Sequence, residues 1–107
     1  MTILTAEDPR TESLDGILEE MLVGAESKGA IEGENLYRVR DRGEAIRLAV
    51  KLANKDDLVM VLGKGHEQSM CFGEVEYPWD DRVAMQAALA DFLGLDGYEM
   101  PRLPTSD

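Results

Sequence analysis

The sequence predicts an α/β domain, a mainly parallel sheet with flanking helices. Three observations lead there. Apolar residues recur at strand spacing and then at helix spacing, and the two patterns alternate along the chain. The run Leu58–Leu62 (LVMVL) is continuously apolar, as expected for a parallel strand buried on both faces. The resulting order, β-α-β-α-β-hairpin-α, is that of strands joined by crossover helices.

Each element has its own signal. Met1–Thr5 (MTILT) reads as a strand, and the polar, proline-containing stretch Ala6–Arg10 ends it in a loop. Leu14, Ile17, Leu18, Met21 and Leu22 fall on one face of a helix, with Ser13 as N-cap and Gly29 as a stop. Leu36–Val39 is a short strand. Asp41 and Glu44 then have the spacing of a capping box, ahead of a helix whose face is Ile46, Ala49, Val50 and Ala53. Asn54–Asp57 breaks that helix before the Leu58–Leu62 strand. Gln68–Phe72 and Glu74–Tyr77 read as a hairpin around Gly73, and Asp80 and Asp81 suit a helix N-terminus. The last helix is expected to present Val83, Ala84, Ala87, Ala88 and Phe92. Residues 1–93 then form the domain, and the glycines, prolines and polar residues of 94–107 a loose tail.

A chain of 107 residues holds one small domain. No apolar run approaches the roughly 20 residues of a membrane span, and Met1–Arg10 lacks the pattern of a signal peptide, so a cytoplasmic protein is expected and no membrane partner. With 22 acids against 11 bases the net charge is −11, which argues against nucleic acid. Such a field suits a cationic or zwitterionic ligand, or serves solubility alone. The single cysteine, Cys71, lies in an apolar stretch and reads as a small buried hydrophobe. No Cys/His cluster points to a metal site.

At the C-terminal ends of parallel strands, where such sheets bind ligands, two loops carry chemistry. The first is Glu7-Asp8-Pro9-Arg10. Pro9 stiffens it, Arg10 can grip a carboxylate in a fork, and Asp8 can accept from an ammonium; an ordinary strand-to-helix turn has the same composition. The second is Gly63-Lys64-Gly65-His66-Glu67. It is glycine-rich and basic but not a P-loop, since Lys64 is followed by Gly65. Gly63 and Gly65 allow close ligand approach, Glu67 can hold an ammonium, and His66, without a nucleophile or metal partner in sequence, reads as an orienting or structural residue. No catalytic residue is assigned.

Taken together, these motifs resemble the third, C-terminal domain of the Mur ligases, of the UDP-N-acetylmuramoyl-tripeptide synthetase type. That family carries T-x-D-N-P-R-x-E, then D-R-x-x-A-I, then A-G-K-G-H-E, then F-D-D-R. This chain has Thr5-Ala6-Glu7-Asp8-Pro9-Arg10-Thr11-Glu12, Asp41-Arg42-Gly43-Glu44-Ala45-Ile46, Leu62-Gly63-Lys64-Gly65-His66-Glu67 and Trp79-Asp80-Asp81-Arg82 in the same order. The resemblance implies a Rossmann-like domain of a peptidoglycan-synthesis ligase, serving cell-wall biogenesis, cell shape and division. Such a ligase uses ATP and Mg2+ to activate UDP-N-acetylmuramoyl-L-Ala-D-Glu, and the amine of a diamino acid then attacks. It further implies amino-acid contacts at Asp8, Arg10, Gly63 and Glu67, supported by Glu7, Lys64, Gly65 and His66, with the remaining ligase domains as partners.

Two departures matter. The family's D-N is Glu7-Asp8 here. The added charge favours a side chain ending in a plain ammonium, lysine or ornithine, whereas Arg10 favours meso-diaminopimelate. The strand, loop and helix that open the family's third domain have no counterpart, so the domain is expected to be truncated at its N-terminal side, inactive alone, without nucleotide or metal of its own, and prone to self-association. Two other classes fit the same sequence: a standalone small-ligand binding module, and an oligomeric interaction protein without catalysis.

Overall fold

The computed structural model describes residues 1–106. Its elements are β1 (Thr2–Leu4), α1 (Leu14–Glu26), β2 (Leu36–Arg38), α2 (Arg42–Leu52), β3 (Ser69–Phe72), β4 (Val75–Pro78) and α3 (Asp81–Leu93), followed by a 3-10 turn at Pro104–Ser106. β1 and β2 pair in parallel, with Ile3 opposite Tyr37, and β3 and β4 form a separate antiparallel hairpin with Met70 opposite Tyr77. Between them lie helices at the places the periodicity predicts.

The caps explain the helix starts. Ser13 Oγ accepts from the Gly16 amide, Asp41 Oδ2 from Glu44 and Asp80 Oδ1 from Arg82. Each satisfies a donor that the first helical turn would otherwise leave open. The expected capping box at Asp41 is realised on one side: the Glu44 carboxylate turns to Arg47 instead.

One core joins the elements. Leu14, Leu18 and Leu22 of α1, Ile46 and Val50 of α2, and Ala84 and Ala88 of α3 enclose Leu4, Leu36, Met70 and Trp79. Leu36 and Met70 are fully enclosed. Cys71 is buried and free, as its apolar surroundings suggested.

Three expectations change. Beyond Asp81 at its start, the buried face of α3 is alanine (Ala84, Ala87, Ala88 and Ala90), while Val83 and Phe92 face outward. Small residues there let α2 and α3 approach closely, so the bulky positions fall outside the contact. Residues 58–62 are not a paired strand. Val59 and Val61 are half-buried, but Leu58, Met60 and Leu62 are 82%, 65% and 71% exposed, and among the described residues no backbone hydrogen bond joins this segment to a strand. A strand exists only through a neighbour's ladder, and none is beside it. The segment after Leu93 is not loose throughout. Leu103 is buried, Met100 packs against Gly43, and Thr105 and Ser106 donate to Asp41 Oδ1 at 2.7 and 3.1 Å. Residue 107 lies outside the described residues.

Candidate amino-acid-binding site

The two chemical loops do meet, through Lys64. Its side chain is 1% exposed, and its ammonium donates to Asp8 Oδ2 and to Glu67 Oε2, each at 2.8 Å. Asp8 also accepts the Cys71 amide at 2.8 Å, so both its oxygens are committed and the first loop is pinned to β3. Burial works against the charge on Asp8. The Lys64 hydrogen bond and the Cys71 amide outweigh it and hold the carboxyl below its ordinary range. Burial likewise opposes the Lys64 charge, and the bonds to Asp8 and Glu67 outweigh it, raising the ammonium's pKa.

The loop backbone is unusual. Asp8 and Arg10 have φ of 40° and 55°, in the left-handed region that side chains with a Cβ seldom occupy. The cause is visible: Arg10 N donates to Cys71 O, and Gly73 N donates to Arg10 O at 2.6 Å, which clamps the residue on both sides. The clamp turns the Arg10 side chain outward, where it is exposed and makes no hydrogen bond or ion pair among the described residues. Gly63 takes φ of 103°, and a Cβ there would come within 2.9 Å of the Glu7 carboxylate. Gly65 is also at positive φ, facing open space, and His66 is exposed.

A second cluster supports both loops, and sequence reasoning gave it no role. Arg42, 2% exposed, donates from Nε and Nη2 to the two carboxylate oxygens of Asp81 at 2.8 and 2.9 Å. Its Nη1 holds Ala6 O at 3.0 Å, just before the first loop, and its Nη2 holds Leu62 O at 2.9 Å, just before the second. Trp79 Nε1 donates to Asp81 Oδ1 at 2.7 Å. The Asp81 carboxyl is lowered despite burial, by Arg42 first and Trp79 next. Both residues lay inside quoted motifs; their pairing, 39 residues apart, carried no local signal.

The arrangement offers groups of both charges to a ligand. It leaves an exposed guanidinium at Arg10 and a half-exposed carboxylate at Glu67 on two loops that Lys64 joins. Residues 1–65 match the family model described as Mur ligase, glutamate ligase domain. The chain belongs to the Mur ligase family. This Mur ligase segment is 42% identical over 97 residues to the UDP-N-acetylmuramyl-tripeptide synthetase of Roseiflexus sp. (strain RS-1), covering 91% of the chain and 19% of that protein. It is 37% identical over 90 residues to the UDP-N-acetylmuramoyl-L-alanyl-D-glutamate–2,6-diaminopimelate ligase of Clostridioides difficile (strain 630), covering 84% of the chain and 18% of that protein. A solved structure of a ligase of the latter name superposes with a TM-score of 0.70 at 32% identity, over 85% of this chain and 18% of that one. The α/β fold is thus that of a Mur ligase C-terminal domain, and the chain spans less than a fifth of the length of these relatives.

ATP and magnesium, which the family implies, do not fit the residues present. Lys64, the cation of the glycine-rich loop, is enclosed and committed to two carboxylates, so it does not face a phosphate. Among the described residues no group of three or more His, Cys, Asp and Glu side chains is placed to hold a metal ion. No helix among them is long and apolar enough to cross a membrane.

Proposed function

We propose that this segment is the amino-acid-binding part of an ATP-dependent, cytoplasmic ligase that adds a diamino acid to UDP-N-acetylmuramoyl-L-Ala-D-Glu, and that it is inactive by itself. The names of its relatives support the reaction class. The observation that carries the binding role is the Asp8–Lys64–Glu67 bridge, which holds the two loops together and leaves Arg10 facing outward.

The bridge also bears on which diamino acid is taken. Asp8 alone would favour a plain ammonium, as in lysine or ornithine. Lys64 neutralises one of the two carboxylates it bridges, so the bridge carries one net negative charge and Arg10 one positive charge, with Glu7 a further carboxylate on the first loop. That pair complements the zwitterionic distal end of meso-diaminopimelate: its ammonium toward Glu67 and its carboxylate toward Arg10. Asp8 then acts by fixing the loop rather than by touching the ligand. Gly63 and Gly65 let the ligand approach the backbone, with Glu7 and His66 at the rim.

The test is an amide-resolved NMR titration of the chain with meso-diaminopimelate, lysine and ornithine. The reading expects shifts centred on Arg10, Gly65 and Glu67, largest for meso-diaminopimelate. Shifts scattered away from both loops, or none at saturating ligand, refute it.

A further inference from the structure

After α3 the chain turns back across the start of α2. Leu103 is buried in the core, and the Met100 side chain lies so close to Gly43 that a Cβ there would come within 2.9 Å of it. The turn that follows closes on itself. Ser106 N donates to Leu103 O at 2.9 Å, and Leu103 N donates to Ser106 Oγ at 2.8 Å. With that oxygen accepting from Leu103, its proton goes to Asp41 Oδ1, 3.1 Å away, and the Thr105 hydroxyl donates to the same oxygen at 2.7 Å.

Asp41 is the N-cap of α2 and is 7% exposed. Its Oδ2 accepts from the Glu44 amide and its Oδ1 from the two hydroxyls, so both oxygens are satisfied away from water. The next residue is Arg42, whose guanidinium holds Ala6 O, Leu62 O and both carboxylate oxygens of Asp81. We infer that Thr105 and Ser106 are positioning residues for the two loops: their hydroxyls fix the Asp41 carboxylate, and through it the first turn of α2 and the Arg42 side chain from which both loops take their places. A buried carboxylate that loses its donors turns to water, and for Asp41 that means leaving the cap position. Arg42 then shifts with the helix start, and the backbone before each loop shifts with Arg42. Leu103 alone would be enough to anchor the segment. Two hydroxyls converging on one oxygen of the helix cap add a polar lock beside the side chain that carries the loops. In tying these residues to amino-acid binding we rely on the function proposed above.

The test compares the 107-residue chain with Thr105→Val/Ser106→Ala, which removes both hydroxyls, and with Thr105→Ser/Ser106→Thr, which exchanges them. Residue-resolved amide hydrogen exchange needs no ligand. The hydroxyl-free variant is expected to exchange about tenfold faster at Arg10 and Cys71, whose amides tie the first loop to β3, while Leu18 and Leu22 in α1 keep the wild-type rate. The exchanged pair is expected to restore the wild-type rate at both loop positions. Unchanged exchange at Arg10 and Cys71, equal acceleration in α1 and the loop, or no restoration overturns the inference. A titration with meso-diaminopimelate, followed at Arg10 and Glu67, separates it from the site itself. The hydroxyl-free variant is expected to bind about fivefold more weakly than wild type, and equal affinity overturns the positioning role. Absence of binding to the wild-type chain refutes the amino-acid site instead, and the exchange comparison then decides whether the hydroxyls order the loops.

Discussion

Arg42 and Asp81 meet in a two-point ion pair closed off from solvent, and the same guanidinium holds the backbone just before each of the two candidate loops. One side chain therefore sets the positions of Asp8, Arg10, Gly63 and Glu67 without being one of them. The loops inherit their geometry from the N-termini of α2 and α3, where Arg42 and Asp81 sit.

Removing one partner of that pair leaves a buried charge alone. Arg42→Met or Asp81→Leu should cost about 3–5 kcal/mol. Arg42→Lys should recover little, because an ammonium cannot reproduce the fork or reach two carbonyls as well. Urea denaturation followed by circular dichroism measures this. A loss below about 1 kcal/mol for Asp81→Leu would show that the pair does not organise the loops.

The acid groups set a pH dependence with a definite sign. Asp8 and Asp81 both have folded pKa values below their unfolded ones. Their contribution is complete above the unfolded carboxylate value of about 4, and is lost as pH falls through the lower folded values. Lys64 is raised, so its contribution is complete below about 10.4 and is lost as pH rises through its folded value. Melting temperature against pH should fall at both ends. Lys64→Met should flatten the alkaline limb, and an unchanged limb in that variant would contradict the assignment.

The two loop glycines are predicted to differ. Gly63→Ala meets the Glu7 carboxylate at 2.9 Å in addition to its φ of 103°, whereas Gly65→Ala, at φ of 61°, meets nothing. Backbone strain alone should cost about 1–3 kcal/mol at Gly63 and about 1–2 kcal/mol at Gly65. Adding Glu7→Ala should recover the contact part at Gly63 only. Equal recovery at both positions by chemical denaturation would refute the contact.

Much of this was legible in the residues. Ser13, Asp41 and Asp80 announced the helix starts because capping is local, and the leucine stripe of α1 announced its buried face. What escaped depended on partners distant in sequence. Arg42 and Asp81 were visible as motif letters, but nothing local says that they touch. Asp8 stood out because its neighbours are charged, but its bond to Lys64, 56 residues away, had no local signal. The run 58–62 announced a central strand through composition, yet a strand also needs a neighbour, and β1 is not against it. The segment after Leu93 looked loose by its glycines and prolines, while a single buried leucine and two hydroxyls on Asp41 dock its end.

That docking predicts its own loss. Leu103→Ala removes a core side chain and should cost about 2–5 kcal/mol. Urea melts of this variant check it, and a loss under about 0.5 kcal/mol would return the segment to the status of a tail.

The most direct test of the amino-acid-binding role is a competition assay on a ligase containing this segment, wild type against Arg10→Ala, with meso-diaminopimelate and lysine as rival acceptors. The Arg10 side chain makes no internal hydrogen bond or ion pair among the described residues, and its backbone bonds to Cys71 and Gly73 do not need that side chain, so its loss should leave the fold intact. A charge-assisted bond to the distal carboxylate contributes about 1.5–3 kcal/mol, so kcat/KM for meso-diaminopimelate should drop about tenfold or more while that for lysine holds or rises. If Arg10→Ala lowers both acceptors by the same factor, or neither, the first loop does not face the amino acid and the proposed site is wrong.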